Sequence, residues 1–474
     1  MTTVNPNVSF SLGPRSSLLS IPFATILYEW KRRDFQPAPC QQVLLELMAR
    51  YDVPRSALDP DAVTTGGRVA TEHLLYPGPQ PWRFLVEDVS RPVAFRAGFD
   101  FDVEQAEAVG DYLLDLLASD GPSDDPDDPL GPEVQRELFL PPGTSPSPAP
   151  AWSSGARPGI ERREHASLVV RSETTAVLLD PICLASEKLP LLSTCPRARD
   201  DEHFDAILVT HHHADHWHLP SILHHATAGR TTVVVPAVPR VNLLCDERFS
   251  ESIAAVGLEP IEAQWGQHLR IGDIEIDVLP FYGEQPTRDE AGVAPDLRSW
   301  GNSYRITTPT LSVIVIADAG TDPQGSMEEV FEASTRRHGP ADFVASSARD
   351  LLCPFFGGLH HYWAALPFAE LTRLWNQDGG RTIPSTTAGV EGIARLCAIA
   401  GAQAYLPYAN GFAGVGRPIH DVGWGLGEAA ESALLEALAS RLSAQGTRTG
   451  IVPWVPGDTM VVEQHGSFEH VRHP

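Results

Sequence analysis

From Glu164 onward the chain alternates short runs of β-branched and aliphatic residues with stretches of helical periodicity. The runs are Ser167-Leu168-Val169-Val170, Ala176-Val177-Leu178-Leu179, Ala206-Ile207-Leu208-Val209-Thr210, Thr231 to Val235, Ile274 to Leu279 and Leu311 to Ile316. Continuous apolar runs of this length predict central strands covered on both faces. The polar–apolar alternation of Ile274-Glu275-Ile276-Asp277-Val278-Leu279 predicts a half-exposed strand instead. Strands separated by helical stretches place this part of the chain in the α/β class. No internal repeat is visible.

The N-terminal part reads differently. Helical periodicity recurs in Gln41 to Arg50 and in Val103 to Leu117, with the strand-like Arg83-Phe84-Leu85-Val86 between them, which predicts a smaller α+β module. Its histidine, His73, is solitary and its carboxylates fall on solvated helix faces, so an interaction or dimerisation role is expected, consistent with a homodimer. From Ser119 to Pro158 the chain is rich in Asp, Pro, Gly and Ser. Such a stretch cannot build a core, although the apolar patch Val134 to Leu140 has the means to dock locally. The expected organisation is a module at 1–118, a linker at 119–158 and a catalytic domain at 159–474. A chain of 474 residues is long enough for two or three domains.

Composition narrows the class. With 42% hydrophobic and 20% charged residues, the chain has the profile of a soluble globular protein. Lys+Arg 35 against Asp+Glu 61 leaves a formal net charge of -26, which repels phosphate backbones and anionic lipid. No basic run with interleaved aromatics offsets this, so neither nucleic acid nor membrane is expected as a partner. The cysteines Cys40, Cys183, Cys195, Cys245, Cys353 and Cys397 form no CxxC pair, which fits reduced thiols better than a disulfide framework or a zinc knuckle. Met1 to Ser20 holds one Arg and no sustained apolar run followed by a small-residue cleavage site, and no run of about 18 apolar residues occurs, so neither a secretory leader nor a membrane span is expected. The expected location is cytoplasmic.

The strand Ile207 to Thr210 runs into His211-His212-His213-Ala214-Asp215-His216, followed by Trp217 and His218. Imidazole nitrogens and carboxylate oxygens are the donors of borderline divalent metals. Two histidines two residues apart, followed by Asp-His, direct one pair of donors to one metal and the next pair to a second. The cluster follows directly on a buried strand, where sites in α/β sheets collect, and this argues against a chance histidine-rich surface turn.

His211-x-His213-x-Asp215-His216 resembles the HxHxDH motif of the metallo-β-lactamase superfamily. Upstream, His165-Ala166-Ser167-Leu168-Val169-Val170 leading to Leu178-Leu179-Asp180-Pro181 is similar to the paired first strands of the branch that includes the N-acyl-phosphatidylethanolamine phospholipase D and ascorbate-phosphate lactonase families. Downstream, Ile314-Val315-Ile316-Ala317-Asp318-Ala319-Gly320 is similar to the strand that ends in the superfamily's metal-bridging aspartate. The resemblance covers about Glu164 to Val462 and implies a four-layer αββα sandwich with a dinuclear site at one edge.

Zinc hydrolases of the superfamily carry a histidine after a strand such as Ile274 to Leu279. Here Pro280-Phe281-Tyr282-Gly283-Glu284-Gln285-Pro286 follows instead, and Glu284 resembles the glutamate of the diiron branch typified by the β-hydroxylase of chloramphenicol biosynthesis. That enzyme hydroxylates an amino acid held on a peptide-synthetase carrier domain. The resemblance implies His211, His213 and Glu284 at one metal and Asp215 and His216 at the other, bridged by Asp318. His268, the other histidine available, precedes the strand. Three imidazoles and three carboxylates suit oxygen-activating iron, because anionic oxygen donors stabilise higher oxidation states, whereas zinc has no redox chemistry. Two iron ions are therefore expected, with O2 as co-substrate. An external electron donor is needed, since no flavin or nicotinamide fingerprint is present.

The superfamily's last histidine, in a Pro-x-His stretch, has no counterpart. Ala404-Tyr405-Leu406-Pro407-Tyr408-Ala409-Asn410-Gly411 carries Ala409 at that place. His361, or His360 beside it, is the expected replacement, with Tyr408 and Asn410 lining the pocket. Asp180 is expected to orient a ligand histidine, and His165 to do likewise or to sit in the core. His212 and His218 are expected to point away as pocket or surface residues, and His224-His225 to pack or face solvent on a helix. Phe355-Phe356 and Tyr362-Trp363 are expected in the core, with Gly357-Gly358 in a pocket wall.

These expectations describe a diiron oxygenase that hydroxylates or otherwise oxidises a small amino-acid-type substrate of secondary metabolism, free or held on a carrier protein that the N-terminal module helps to dock. A dinuclear zinc hydrolase of an ester, lactone or phosphodiester is the alternative, and a degenerate binding scaffold a third.

Overall fold

A computed structural model describes residues 5, 8–15, 21–88, 95–119, 121–122, 125–139, 157–184, 202–289, 293–355, 359–377, 384–410, 428–463 and 467–472. Two mixed sheets form its centre. The first has eight strands, in the order Phe468–Val471, Thr459–Val462, Gly159–Arg162, Leu168–Arg171, Ala176–Leu179, Ala206–Leu208, Thr232–Pro236 and Glu259–Ala263. From Ala176–Leu179 onward its pairs are parallel. The second has seven, in the order His268–Ile271, Ile274–Pro280, Asn302–Thr307, Ser312–Ala317, Phe343–Ser346, Ala404–Pro407 and Gly450–Ile451. Its pairs become parallel beyond Ser312–Ala317.

Alternation along each strand decides what lies between the sheets. Leu168, Val170, Val177, Leu179, Leu208 and Val234 of the first sheet share one core with Ile274, Ile276, Val278, Tyr304, Ile306 and Val313 of the second. The intervening residues Val169, Leu178, Ile207, Val233 and Val235 face the other way, against Leu219 and Ile222 of the helix Leu219–His225 and Phe249 and Ile253 of the helix Phe249–Ala255. The far side of the second sheet is covered by the helices Met327–His338, Gly389–Ala400 and Glu428–Ala444 through Phe331, Ile393 and Leu438. The layers are thus helix, sheet, sheet, helix. Each fully buried aliphatic side chain contributes about 1.5–3 kcal/mol relative to exposure, which commits the continuous apolar runs to this interior.

Ile274–Pro280 departs from the half-exposed expectation. Glu275 is exposed, but Asp277 is buried, flanked by His268 at 3.1 Å and by His338, from the end of the covering helix, at 3.3 Å. An imidazole on each side replaces the water that the alternation pattern implies.

Segments before residue 119 contribute to two further cores. The helices Phe23–Lys31 and Pro37–Arg50 pack with Tyr362, Trp363, Phe368 and Leu371. The antiparallel sheet Val8–Pro14, Trp82–Asp88 and Phe95–Phe101 and the helix Ala106–Ala118 join the outer face of the first large sheet. Within the expected linker, the helix Gly131–Leu138 docks on that face through Leu130, Leu138 and Phe139; residues 140–156 lie outside the described residues, as do Cys195, Phe356, Gly357, Gly358 and Gly411. Among the described residues no helix is long and apolar enough to cross a membrane.

Candidate metal centre

The site forms where strands of both sheets end. Ala206–Leu208 pairs in parallel with Ala176–Leu179, so the residues that follow each strand, Thr210-His211 and Asp180, emerge side by side at the carboxyl edge. Asp180 is fully buried and organises the motif: its Oδ1 accepts from the Thr210 amide (2.7 Å), and its Oδ2 accepts from the Thr210 hydroxyl (2.6 Å) and from His216 Nδ1 (2.8 Å). Because the Thr210 hydroxyl donates to Asp180, it is left to accept from His211 Nδ1 at 3.0 Å. Both rings therefore carry their proton on Nδ1 and turn Nε2 inward, which is how outer partners fix a ligand's tautomer.

Glu284 arrives from the second sheet. It follows Ile274–Pro280 through a turn whose Gly283 has φ +107; a Cβ there would lie 2.4 Å from Thr386 O and 2.6 Å from Gly320 N. Glycine alone permits that approach. Glu284 Oε2 lies 3.0 Å from His211 Nε2 and 3.1 Å from His213 Nδ1, and these two nitrogens are 3.0 Å apart. His213 Nε2 donates to Tyr362 Oη at 2.9 Å. Asp318 follows Ser312–Ala317 and brings Oδ2 to 3.2 Å from His216 Nε2. His165 Nε2 and Asp215 Oδ2 are 3.0 Å apart.

Backbone strain gathers here. Of the non-glycine residues with positive φ, His165, Asp180, Glu284, Ala317 and Ala409 lie in the site or next to it in the chain or by hydrogen bond, and left-handed backbone persists only where surroundings impose it. The electrostatics are equally unusual. Burial, then the charges of His216 and His213, hold His211 well below the ordinary histidine range. Burial opposes a charge on Asp215, yet His216 and His165 outweigh it and keep that carboxyl well below its usual range. Burial likewise opposes a charge on His216, but Asp215, Asp180 and Asp318 raise it well above the ordinary value.

Three donor groups result among the described residues: His211, His213 and Glu284; His211, His216 and Asp318; and His165, Asp215 and His216. They fit a pair of cations. Among the described residues Glu284 Oε2 and His216 Nε2 are buried without a hydrogen bond, and both face other donors. Two donors about 2.1 Å from one ion and at right angles stand about 3.0 Å apart, which matches the three separations among His211, His213 and Glu284.

A family model described as a beta-lactamase superfamily domain matches residues 175–346. Among solved structures, CmlA, a diiron beta-hydroxylase from Streptomyces venezuelae, is similar at TM-score 0.52 and 13% identity over 95% of this chain and 98% of its own; a mutant of the CmlA beta-hydroxylase matches at TM-score 0.51 with the same identity and coverage. The chain has the metallo-β-lactamase superfamily fold. The isothiocyanate hydrolase from Delia radicum gut bacteria is similar at TM-score 0.40 and 12% identity, over 64% of this chain and 98% of its own. No curated protein sequence matches the chain.

The remaining expected residues take varied places within the metallo-β-lactamase fold. The proposed replacement ligands, His361 and His360, belong to no donor group among the described residues. His361 sits edge-on to Phe23 with ring centroids 6.1 Å apart, and His360 is largely buried near Lys31, burial lowering its pKa. The turn Tyr362–Ala365 is 3-10 helix, in which successive side chains point about 120° apart, so Tyr362 meets His213 while His361 faces the N-terminal helix. Tyr408 is fully buried, its hydroxyl without a hydrogen bond among the described residues, and burial, then Asp180, Asp318 and Asp215, push its pKa well up. Asn410 Oδ1 accepts from the Ala348 amide at 3.0 Å. His268 pairs opposite Asp277, away from the Glu284 end of that strand.

His218 is neither a pocket nor a surface residue. It is buried, accepting from Ser221 Oγ (2.7 Å) and donating to Phe10 O (2.9 Å), which ties the first strand of the chain to the segment after the motif. His225 is buried edge-on to Phe204. Sequence reasoning missed Thr210 and Tyr362. Thr210 had a signal, being the polar residue between a buried strand and the first histidine.

Proposed function

We propose that this chain is a dinuclear-iron oxygenase that uses O2 to hydroxylate or otherwise oxidise a small amino-acid-type substrate, free or held on a carrier protein, with electrons from an external donor. The observation that carries this reading is the donor set His211, His213 and Glu284, two imidazoles and one carboxylate with mutual separations of 3.0–3.1 Å. Two histidines and a carboxylate on one face of an ion are the ligand set of iron oxygenases. The similarity to a diiron beta-hydroxylase over 95% of the chain supports it.

Two bound irons would supply the O2-activating redox chemistry that no side chain here offers. His211, His213 and Glu284 would hold one, and Asp215 and His216 the other, with Asp318 between them. The chain's own residues do the rest. Asp180, Thr210 and Tyr362 fix ring orientation through the hydrogen bonds described above. His211, His216 and Glu284 have side chains no more than 1% exposed, whereas His213, Asp215 and Asp318 are 12–13% exposed. Substrate therefore approaches from the side of these three, and the buried half keeps water out. Phe281 stacks on His211 with centroids 5.0 Å apart, giving that half an apolar backing.

The test is the iron and zinc content of protein expressed with both metals available, followed by optical spectra during reduction and re-exposure to O2. About two irons per chain with an O2-responsive spectrum is the expected result. Two zincs without a redox response would put the hydrolase in its place, and no metal at all the scaffold. Glu284→His and Glu284→Ala should each change the metal content; unchanged content in both would remove Glu284 from the donor set.

A further inference from the structure

We propose that His165 is a metal ligand and supplies the second ion with the imidazole that Ala409 cannot. This rests on the dinuclear reading above. Without His165 that ion has Asp215, His216 and Asp318, two carboxylates and a single imidazole, and the replacement expected from the His360-His361 turn points elsewhere.

Three observations place His165 in the gap. Its Nε2 lies 3.0 Å from Asp215 Oδ2, and donor atoms of His165, Asp215 and His216 all lie within 4.8 Å of one another. Its backbone is joined to the vacant ligand position, because the Ala409 amide donates to His165 O at 3.0 Å. The ring thus enters from the main chain adjoining the residue that lacks a donor. Finally, His165 is buried and left-handed, at φ 49. A tight turn holds it there, closed by Ser167 N to Glu164 O (2.9 Å) and Arg163 N to Ser167 O (2.8 Å). A non-glycine residue kept in that conformation aims its side chain at the donor cluster instead of along either strand that it joins.

An orienting role is the competing account, in which His165 only donates a hydrogen bond to Asp215. The two differ in whether the ring touches the ion. In the cobalt(II)-substituted full-length chain, each coordinated imidazole shows one strongly shifted exchangeable N–H proton resonance. Ligation by His165 predicts one each for His165, His211, His213 and His216. His165→Gln keeps a hydrogen-bond donor towards Asp215, so it should lose one resonance and hold about one metal ion per chain where the parent holds two, with circular dichroism reporting the fold.

A parent chain with two cobalt ions and only three such resonances overturns the assignment of His165 alone. So does a folded His165→Gln protein that retains two ions and every resonance of the parent. A parent that binds fewer than two ions overturns the dinuclear reading, and this assignment with it. Because the resonance count is taken on the parent, the assignment stands or falls even if the variant fails to fold.

Discussion

Asp322→Asn tests whether the turn that delivers Glu284 is held by charge. Asp322 is fully buried; its Oδ2 accepts from Arg298 at 2.7 Å and from the Gly283 amide at 3.0 Å, and its Oδ1 accepts from the Gln324 amide at 2.7 Å. Arg298 is almost as deeply buried, over Trp265 and Trp300 at 5.1 Å each. The substitution keeps the shape of the side chain and removes its charge, which leaves a buried guanidinium uncompensated. Breaking one half of such a pair costs about 3–5 kcal/mol. Unfolding entropy of roughly 2.1 cal/mol/K per residue over 474 residues comes to about 1 kcal/mol/K for the whole chain, so Tm should fall by about 3–5 °C. Because Gly283 loses its charged acceptor, affinity at the His211, His213 and Glu284 group should fall as well. Scanning calorimetry reads the first effect and chelator competition the second. Replacing both partners by apolar residues should cost less than the two single changes summed. A Tm within about 1 °C of the parent, together with unchanged metal affinity, would refute the clamp.

Two further outcomes follow from the geometry. Tyr362→Phe removes the acceptor for His213 Nε2–H and should weaken metal binding by about 10-fold or more, the usual effect of losing an outer partner; equal affinity in chelator competition would show that Tyr362 does not hold the ring. Glu247, beside Ser252 and Trp217, has its pKa raised from 4.5 to about 7, mainly by burial. A carboxyl raised on folding contributes stability that is fully present below pH 4.5 and lost as pH rises through about 7. Two and a half units correspond to about 3 kcal/mol at most, and partial solvent access lowers this to about 1–2. Glu247→Gln should therefore flatten the denaturation midpoint against pH and exceed the parent above pH 7; parallel profiles would exclude the effect.

What was legible in the chain follows from how far apart the cooperating residues lie. The motif His211 to His216 is local, so its spacing alone announces donors, whereas Glu284 and Asp318 were legible only through the resemblance of the segments that follow Ile274 to Leu279 and Leu311 to Ile316 to the superfamily's ligand positions. The layered architecture is legible because continuous runs must be covered on both faces. Asp277 was misjudged because its partners His268 and His338 come from a neighbouring strand and a distant helix, and alternation cannot distinguish water from imidazole partners. The N-terminal helices were legible as amphipathic, but an apolar face does not say what covers it, and Trp30 and Phe35 pack with residues more than 300 positions away.

The choice between His361 and Tyr362 shows the limit most sharply. Adjacent residues on a tight helical turn diverge by about 120°, so a one-residue change in the turn's phase decides which of them meets His213, and no composition or spacing encodes that phase. His165 has the converse difficulty. Its position after a short strand reads as an ordinary hairpin, and only its left-handed φ turns the ring to the donors. Because Ala409 offers no donor, a further donor for the proposed site is best sought first among turn residues hydrogen-bonded to it, as His165 is.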